Sequence, residues 1–152
     1  MPPSEKIRRW VPWVLLVLGF LGFTDAAYLT AKHYQGEPPT CVFFSGCDVV
    51  TTSEYAVIGF VPVALLGALF YLSIFLLALG YLDRRNPKLL QFVFYLSIPA
   101  LAFTAWLIYL QLFVIGSICI YCMFSALSST SVFVSSLPRV RSMRPAEQSP
   151  VV

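Results

Sequence analysis

Gly116-Ser117-Ile118-Cys119-Ile120-Tyr121-Cys122 opens an apolar run that reaches to about Leu137. Read as helix, the run is long enough to cross a membrane. It also puts Cys119 and Cys122 on one face, where i and i+3 side chains meet and two sulfurs can bond. A helix N-terminus carries partial positive charge, which favours thiolate and makes a cysteine there more nucleophilic. The remainder of the chain reads as a means of delivering something to this pair and taking something away.

Working outward, the background is strongly apolar. Of 152 residues, 59% are hydrophobic and only 11% charged, far from a soluble balance. The charges gather in short clusters between long apolar runs, the pattern of a polytopic membrane protein. The net charge of +3 has no basic patch behind it that would suit nucleic acid, and the basic clusters serve better as topology signals. The first apolar run is too long for a signal-peptide core and lacks a small-residue cleavage site, so it is expected to be retained.

The spacing predicts four spans: about Trp10 to Thr30, about Val57 to Tyr81, about Leu89 to Phe113 with a kink at Pro99, and about Gly116 to Leu137. Trp10 and Trp13 anchor the first at an interface. Residues 32–54 form the longest polar connection, a loop with at most a short helix, carrying Cys41 and Cys47. Pro62 falls in the first turns of span two, and Asp83-Arg-Arg-Asn-Pro-Lys88 is a tight charged turn. The fold class is therefore an all-α membrane protein, a four-transmembrane-helix bundle with an outer loop carrying a cysteine pair. Residues 1–9 form an N-terminal segment, 10–137 the bundle and 138–152 a tail expected to be disordered.

Nine of the ten basic residues lie in the N-terminal segment, the 83–88 turn and the tail; only Lys32 lies on the other side. The positive-inside rule puts both termini in the cytoplasm and all four cysteines on the outer, oxidising face of the cytoplasmic membrane. A pair on a loop and a pair at a helix end suit a relay by thiol–disulfide exchange, from a partner's thiols to a lipid-soluble two-electron acceptor such as a quinone. Two other readings compete. Two structural disulfides would staple the outer face of a non-catalytic membrane protein, although a bridge within one helical turn constrains little of the unfolded chain. A four-cysteine zinc site is allowed by number, but five residues between Cys41 and Cys47 exceed the usual spacing, so no metal is expected.

The order of four spans, a Cys-x5-Cys loop after span one and Cys-Ile-Tyr-Cys opening span four resembles the vitamin K epoxide reductase family in its bacterial branch. Ala27-Tyr-Leu-Thr30, Cys47-Asp-Val-Val-x-x-Ser53-x-Tyr55, Gly59-Phe-Val-Pro62 and Gly67-Ala-Leu-Phe-Tyr71 extend the resemblance over about residues 10–137. It differs from disulfide-bond-formation protein B, whose Cys-x-x-Cys pair lies in the first outer loop. The resemblance implies that Cys41 exchanges with a thioredoxin-like partner and that Cys47 attacks Cys119. It further implies that Cys122 faces a quinone of ubiquinone or menaquinone type, with Ser53 nearby.

Vertebrate members of that family carry an asparagine near the position of Val63 and a tyrosine at that of Ala126. Without those hydrogen-bonding groups, plain quinone reduction is expected rather than epoxide reduction. Many bacterial members carry a fused thioredoxin-like domain; here about fifteen residues follow span four, so the partner is expected to be a separate exported protein. Ser53, Val63 and Phe70 are the candidate quinone contacts, although Phe70 and Tyr71 read equally as packing. Asp25, an ionisable residue within a span, is either a proton carrier or an interfacial group. His33 reads as an exposed loop residue, and Tyr28 and Tyr121 as interfacial aromatics.

Overall fold

The computed structural model describes residues 3–41 and 46–143, with side chains described over 9–41 and 46–137. Helix α1 spans Pro3–Gln35. A short helix α2 covers Cys47–Thr51, a 3-10 turn Glu54–Ala56, and a two-rung antiparallel hairpin pairs β1 (Val57–Ile58) with β2 (Val61–Pro62). Helix α3 runs Val63–Arg84, and α4 runs Pro87–Tyr109 and continues as a π-helical stretch, Leu110–Ile115. Helix α5 covers Ile120–Met143. Four helical segments, Arg9–Gln35, Val63–Arg84, Pro87–Ile115 and Ile120–Leu137, are long and apolar enough to cross a membrane. The 22 residues of α3 would extend about 33 Å at 1.5 Å each, enough for a hydrocarbon core.

The four long helices close a ring in which α1 packs on α3 and α5, and α4 packs on α3 and α5. At the end holding the 83–88 turn the ring is filled. Leu15, Ile74, Ala78, Leu90, Val93 and Val132, together with Val11, form one buried cluster. The outward faces are just as apolar: Val17, Phe20, Leu69, Leu76, Phe92 and Val134 are exposed, as suits contact with lipid rather than water. Glycines set the approach of α1 to α3. A Cβ on Gly19 would sit 3.0 Å from the Phe75 backbone nitrogen, and one on Gly22 would run into the Tyr71 ring. The 83–88 turn is built as its residues dictate. Arg85 takes the left-handed conformation that ends α3, Asn86 accepts the Lys88 N–H at 3.1 Å, and Pro87 opens α4 where its missing N–H costs nothing.

Several expected boundaries move. Residues 57–61 are not the start of span two but part of the hairpin, turned at Gly59 with φ +65°. The residue before a proline is biased to extended backbone, so Pro62 holds Val61 in the strand and becomes the N-cap of α3. The first helix is longer than its apolar core at both ends, taking in residues 3–9 and reaching Gln35, where Gly36 with φ +69° stops it. The last helix likewise continues through residues 138–143, so this part of the expected tail is helical; 144–152 lie outside the described residues.

Candidate functional site

The cysteines gather at the end opposite the filled core. Cys41 and Cys47 form a disulfide with their Cα atoms 6.1 Å apart, while Cys119 and Cys122 are free thiols. Cys47 opens α2 and is fully buried; Cys41 keeps partial exposure. Cys47 and Cys119, both without exposed surface, belong with Val50 to one packed cluster that Cys41, Cys122, Ile115, Ile120 and Tyr121 flank.

What lets the loop come so close is Gly46. A Cβ there would stand 2.8 Å from the Ile118 carbonyl oxygen and 3.1 Å from the Ile118 nitrogen, both backbone atoms that cannot swing aside. A second tie comes from Tyr121, whose hydroxyl donates to the Thr40 carbonyl at 2.9 Å and holds the residue before Cys41 against α5. The Tyr28 ring lies beside it, with centroids 5.6 Å apart.

Cys119 is not the first helical residue but the residue before it. Its carbonyl accepts the Met123 N–H at 3.1 Å, the first bond of α5, so it occupies the N-cap. Its thiol is pulled down to about 7, foremost by the hydrogen bond from the Cys122 thiol, against burial, and with help from the N–H groups of Cys122 and Tyr121. The two cysteines expected on one helical face therefore have different surroundings.

Cys122 lies in the first turn of α5 and lines a cavity of about 540 Å³ among the four helices, the hairpin and the loop. Ser53, Val63, Phe70 and Ala126 line the same cavity; Cys41, Cys47 and Cys119 do not. Its wall is mainly apolar, with a few polar groups. Ser53 donates its hydroxyl hydrogen to the Val50 carbonyl at 2.7 Å, which leaves acceptor lone pairs for a ligand. Tyr71, 1% exposed, bonds the Ser125 carbonyl at 2.6 Å and lies 3.1 Å from the Ser125 hydroxyl, pinning α3 to α5 along the wall. Asp25 also faces the cavity, and its Oδ2 is buried with no hydrogen-bond partner among the described residues. His33 is exposed as expected, but on the last turn of α1 at the cavity rather than in a loop.

Gln111 is the residue the sequence reading passed over. It is 3% exposed on the π-helical stretch, and its Oε1 accepts the Cys119 N–H at 3.1 Å. A lone amide in Leu110-Gln-Leu-Phe-Val-Ile115 is the signal that could have marked it, since polar groups at membrane depth need partners. Among the described residues no group of three or more His, Cys, Asp or Glu side chains converges as metal ligands would.

A ring of four membrane-length helices thus gathers all four cysteines at one end. The model of the vitamin K epoxide reductase family matches residues 13–137, most of the chain, and the protein belongs to that family. It is accordingly a multi-pass membrane protein and a redox enzyme acting on thiols and disulfides.

Proposed function

We propose that this protein oxidises the dithiol of an exported thioredoxin-like partner and passes the electrons through its two cysteine pairs to a membrane quinone. The observation that carries this reading is the division of neighbours: Cys41 reaches the surface, Cys47 packs with Cys119, and Cys122 alone of the four lines the cavity.

The steps balance as successive disulfide exchanges. A partner thiolate attacks Cys41 Sγ, the Cys41–Cys47 bond breaks, and Cys47 leaves as a thiolate. The partner's second thiol displaces Cys41 and the partner departs oxidised. Cys47 then attacks Cys119 of an inner disulfide, freeing Cys122. Cys41 next attacks Cys47, restoring the outer disulfide and freeing Cys119. The result is an oxidised outer pair and an inner dithiol. Re-forming the Cys119–Cys122 bond then gives up two electrons and two protons.

A bound quinone supplies the acceptor for those electrons and protons. The residues fit such a group: the cavity has the size of a small-molecule site, is mainly apolar, and presents one thiol and few polar groups. Val63 and Ala126 on its wall offer no hydrogen bond to an epoxide oxygen, which supports quinone reduction as the reaction. Asp25, with Oδ2 unpartnered among the described residues on the same wall, is the group we assign to hold a proton released from Cys122. The basic-residue asymmetry supports placing this end outside the cytoplasm.

The test uses full-length protein in detergent, a reduced thioredoxin-like protein and a short-chain quinone. One quinol should form per partner dithiol oxidised. Cys122→Ala should remove quinol formation by at least about 10³-fold, as for loss of a group acting directly in chemistry, while the partner still forms mixed disulfides with Cys41. Unchanged quinol formation by that variant would refute the route.

A further inference from the structure

We propose that Gln111 is a positioning residue for Cys119: its buried side-chain carbonyl holds the Cys119 N–H and thereby seats that sulfur as the N-cap of α5. The effect on turnover rests on the proposed re-forming of the Cys119–Cys122 bond, in which the Cys119 thiolate attacks; the seating of the thiol does not.

At most helix starts a serine, threonine or aspartate oxygen accepts the N–H groups of the second or third helical residue. Here those residues are Tyr121 and Cys122, and both of their N–H groups bear on the Cys119 sulfur. A sulfur in the capping position faces two backbone donors and the positive end of a helix, which together favour its thiolate. The geometry holds only if residue 119 keeps its backbone in the cap conformation. Its own N–H then has no helical acceptor, and an orphaned buried N–H is costly.

Gln111 supplies that acceptor, and its main chain closes the rest of the connection. The Gln111 carbonyl takes the Ser117 N–H at 3.2 Å and also the N–H of Gly116, whose φ of +66° turns the chain back. One residue thus ties both sides of the 116–119 link to the end of the third span. The π-helical stretch on which it sits is of a kind that concentrates at functional sites.

The test is the pH dependence of alkylation of Cys119 and Cys122 in the fully reduced, full-length protein, resolved by mass spectrometry of the two sites. In the native protein Cys119 should reach half its maximal rate near pH 7. In Gln111→Met, similar in volume but without the acceptor, the Cys119 midpoint should rise by about one pH unit as cap support is lost. At pH 7 such a thiol is ionised about fivefold less, so quinol formation should fall by that factor and recover as pH rises.

A Cys119 midpoint in Gln111→Met equal to the native one overturns the proposal. So does a native protein in which Cys119 titrates at about pH 8.5, as an unperturbed thiol does, an outcome that needs no variant to fold. A shifted midpoint in a protein that never reduces quinone keeps the seating and refutes the proposed function instead. An unshifted midpoint with intact quinone reduction does the reverse.

Discussion

The two ends of the helical ring are built from similar residues and packed in opposite ways. At the end near the 83–88 turn, Leu15, Ile74, Leu90 and Val132 have no exposed surface and leave no room between the helices. At the other end the same helices part around a cavity of about 540 Å³, keep a carboxylate oxygen with no partner among the described residues, and support a loop that crosses onto α5. Packing at one end holds the ring closed, so the other can stay open without the bundle coming apart. Polar and reactive groups gather where packing has been given up, as expected if stability and chemistry compete for the same interior.

The largest effect on stability is expected at the filled end. Leu90→Ala removes a fully buried side chain from the core and should cost about 2–5 kcal/mol of stability. Reversible unfolding in mixed detergent would measure that cost. Thiol oxidation per folded molecule should stay near native; a comparable loss there would mean that the ends are not separable.

At the open end a smaller insult should do the reverse. Gly46→Ala forces the loop away from the Ile118 carbonyl, 2.8 Å from where its Cβ would lie, and carries Cys47 with it. Misplacement of reacting atoms by about 1 Å can cost about 100-fold in rate. Rapid acid quenching should show the outer pair reduced at the native rate and the inner pair reduced that much more slowly, with the unfolding midpoint little changed. Equal slowing of both steps would place the glycine's effect outside the transfer between the pairs.

The smallest effect tests the border between the two ends. Tyr71→Phe deletes the hydroxyl that bonds Ser125 and should lower stability by about 1 kcal/mol. Because Tyr71 also lines the cavity, the KM for a short-chain quinone should rise more than kcat falls. A change confined to stability would assign it to the packed end alone.

Much of this was legible in the chain. Long apolar runs between charge clusters specify membrane-length helices, and Asn86-Pro87 after Arg85 marks where α3 must give way to α4. The four cysteines, their loop and helix-end settings, and the resemblance carried by Cys119-Ile-Tyr-Cys122 pointed to thiol chemistry. The hairpin at 57–62 was harder to see, because Val57, Ile58 and Val61 continue the hydropathy of α3 without a break. Gln111 was overlooked because periodicity weighs where apolar residues recur and says little about one amide among them.

The number of membrane-length helices and the ends that carry sulfur were written in the chain, since these follow from local composition and from burial of backbone polar groups within each helix. Which sulfur meets which neighbour depends instead on packing between distant parts of the chain. Cys119 and Cys122 are three residues apart and chemically identical, and helical spacing alone would give them one face. The π-helical turn, the Gln111 carbonyl and the close approach of Gly46 separate them, placing one as a helix cap against Cys47 and the other on a cavity wall. Those contacts join residues that are distant in the chain, so no local pattern could have specified them.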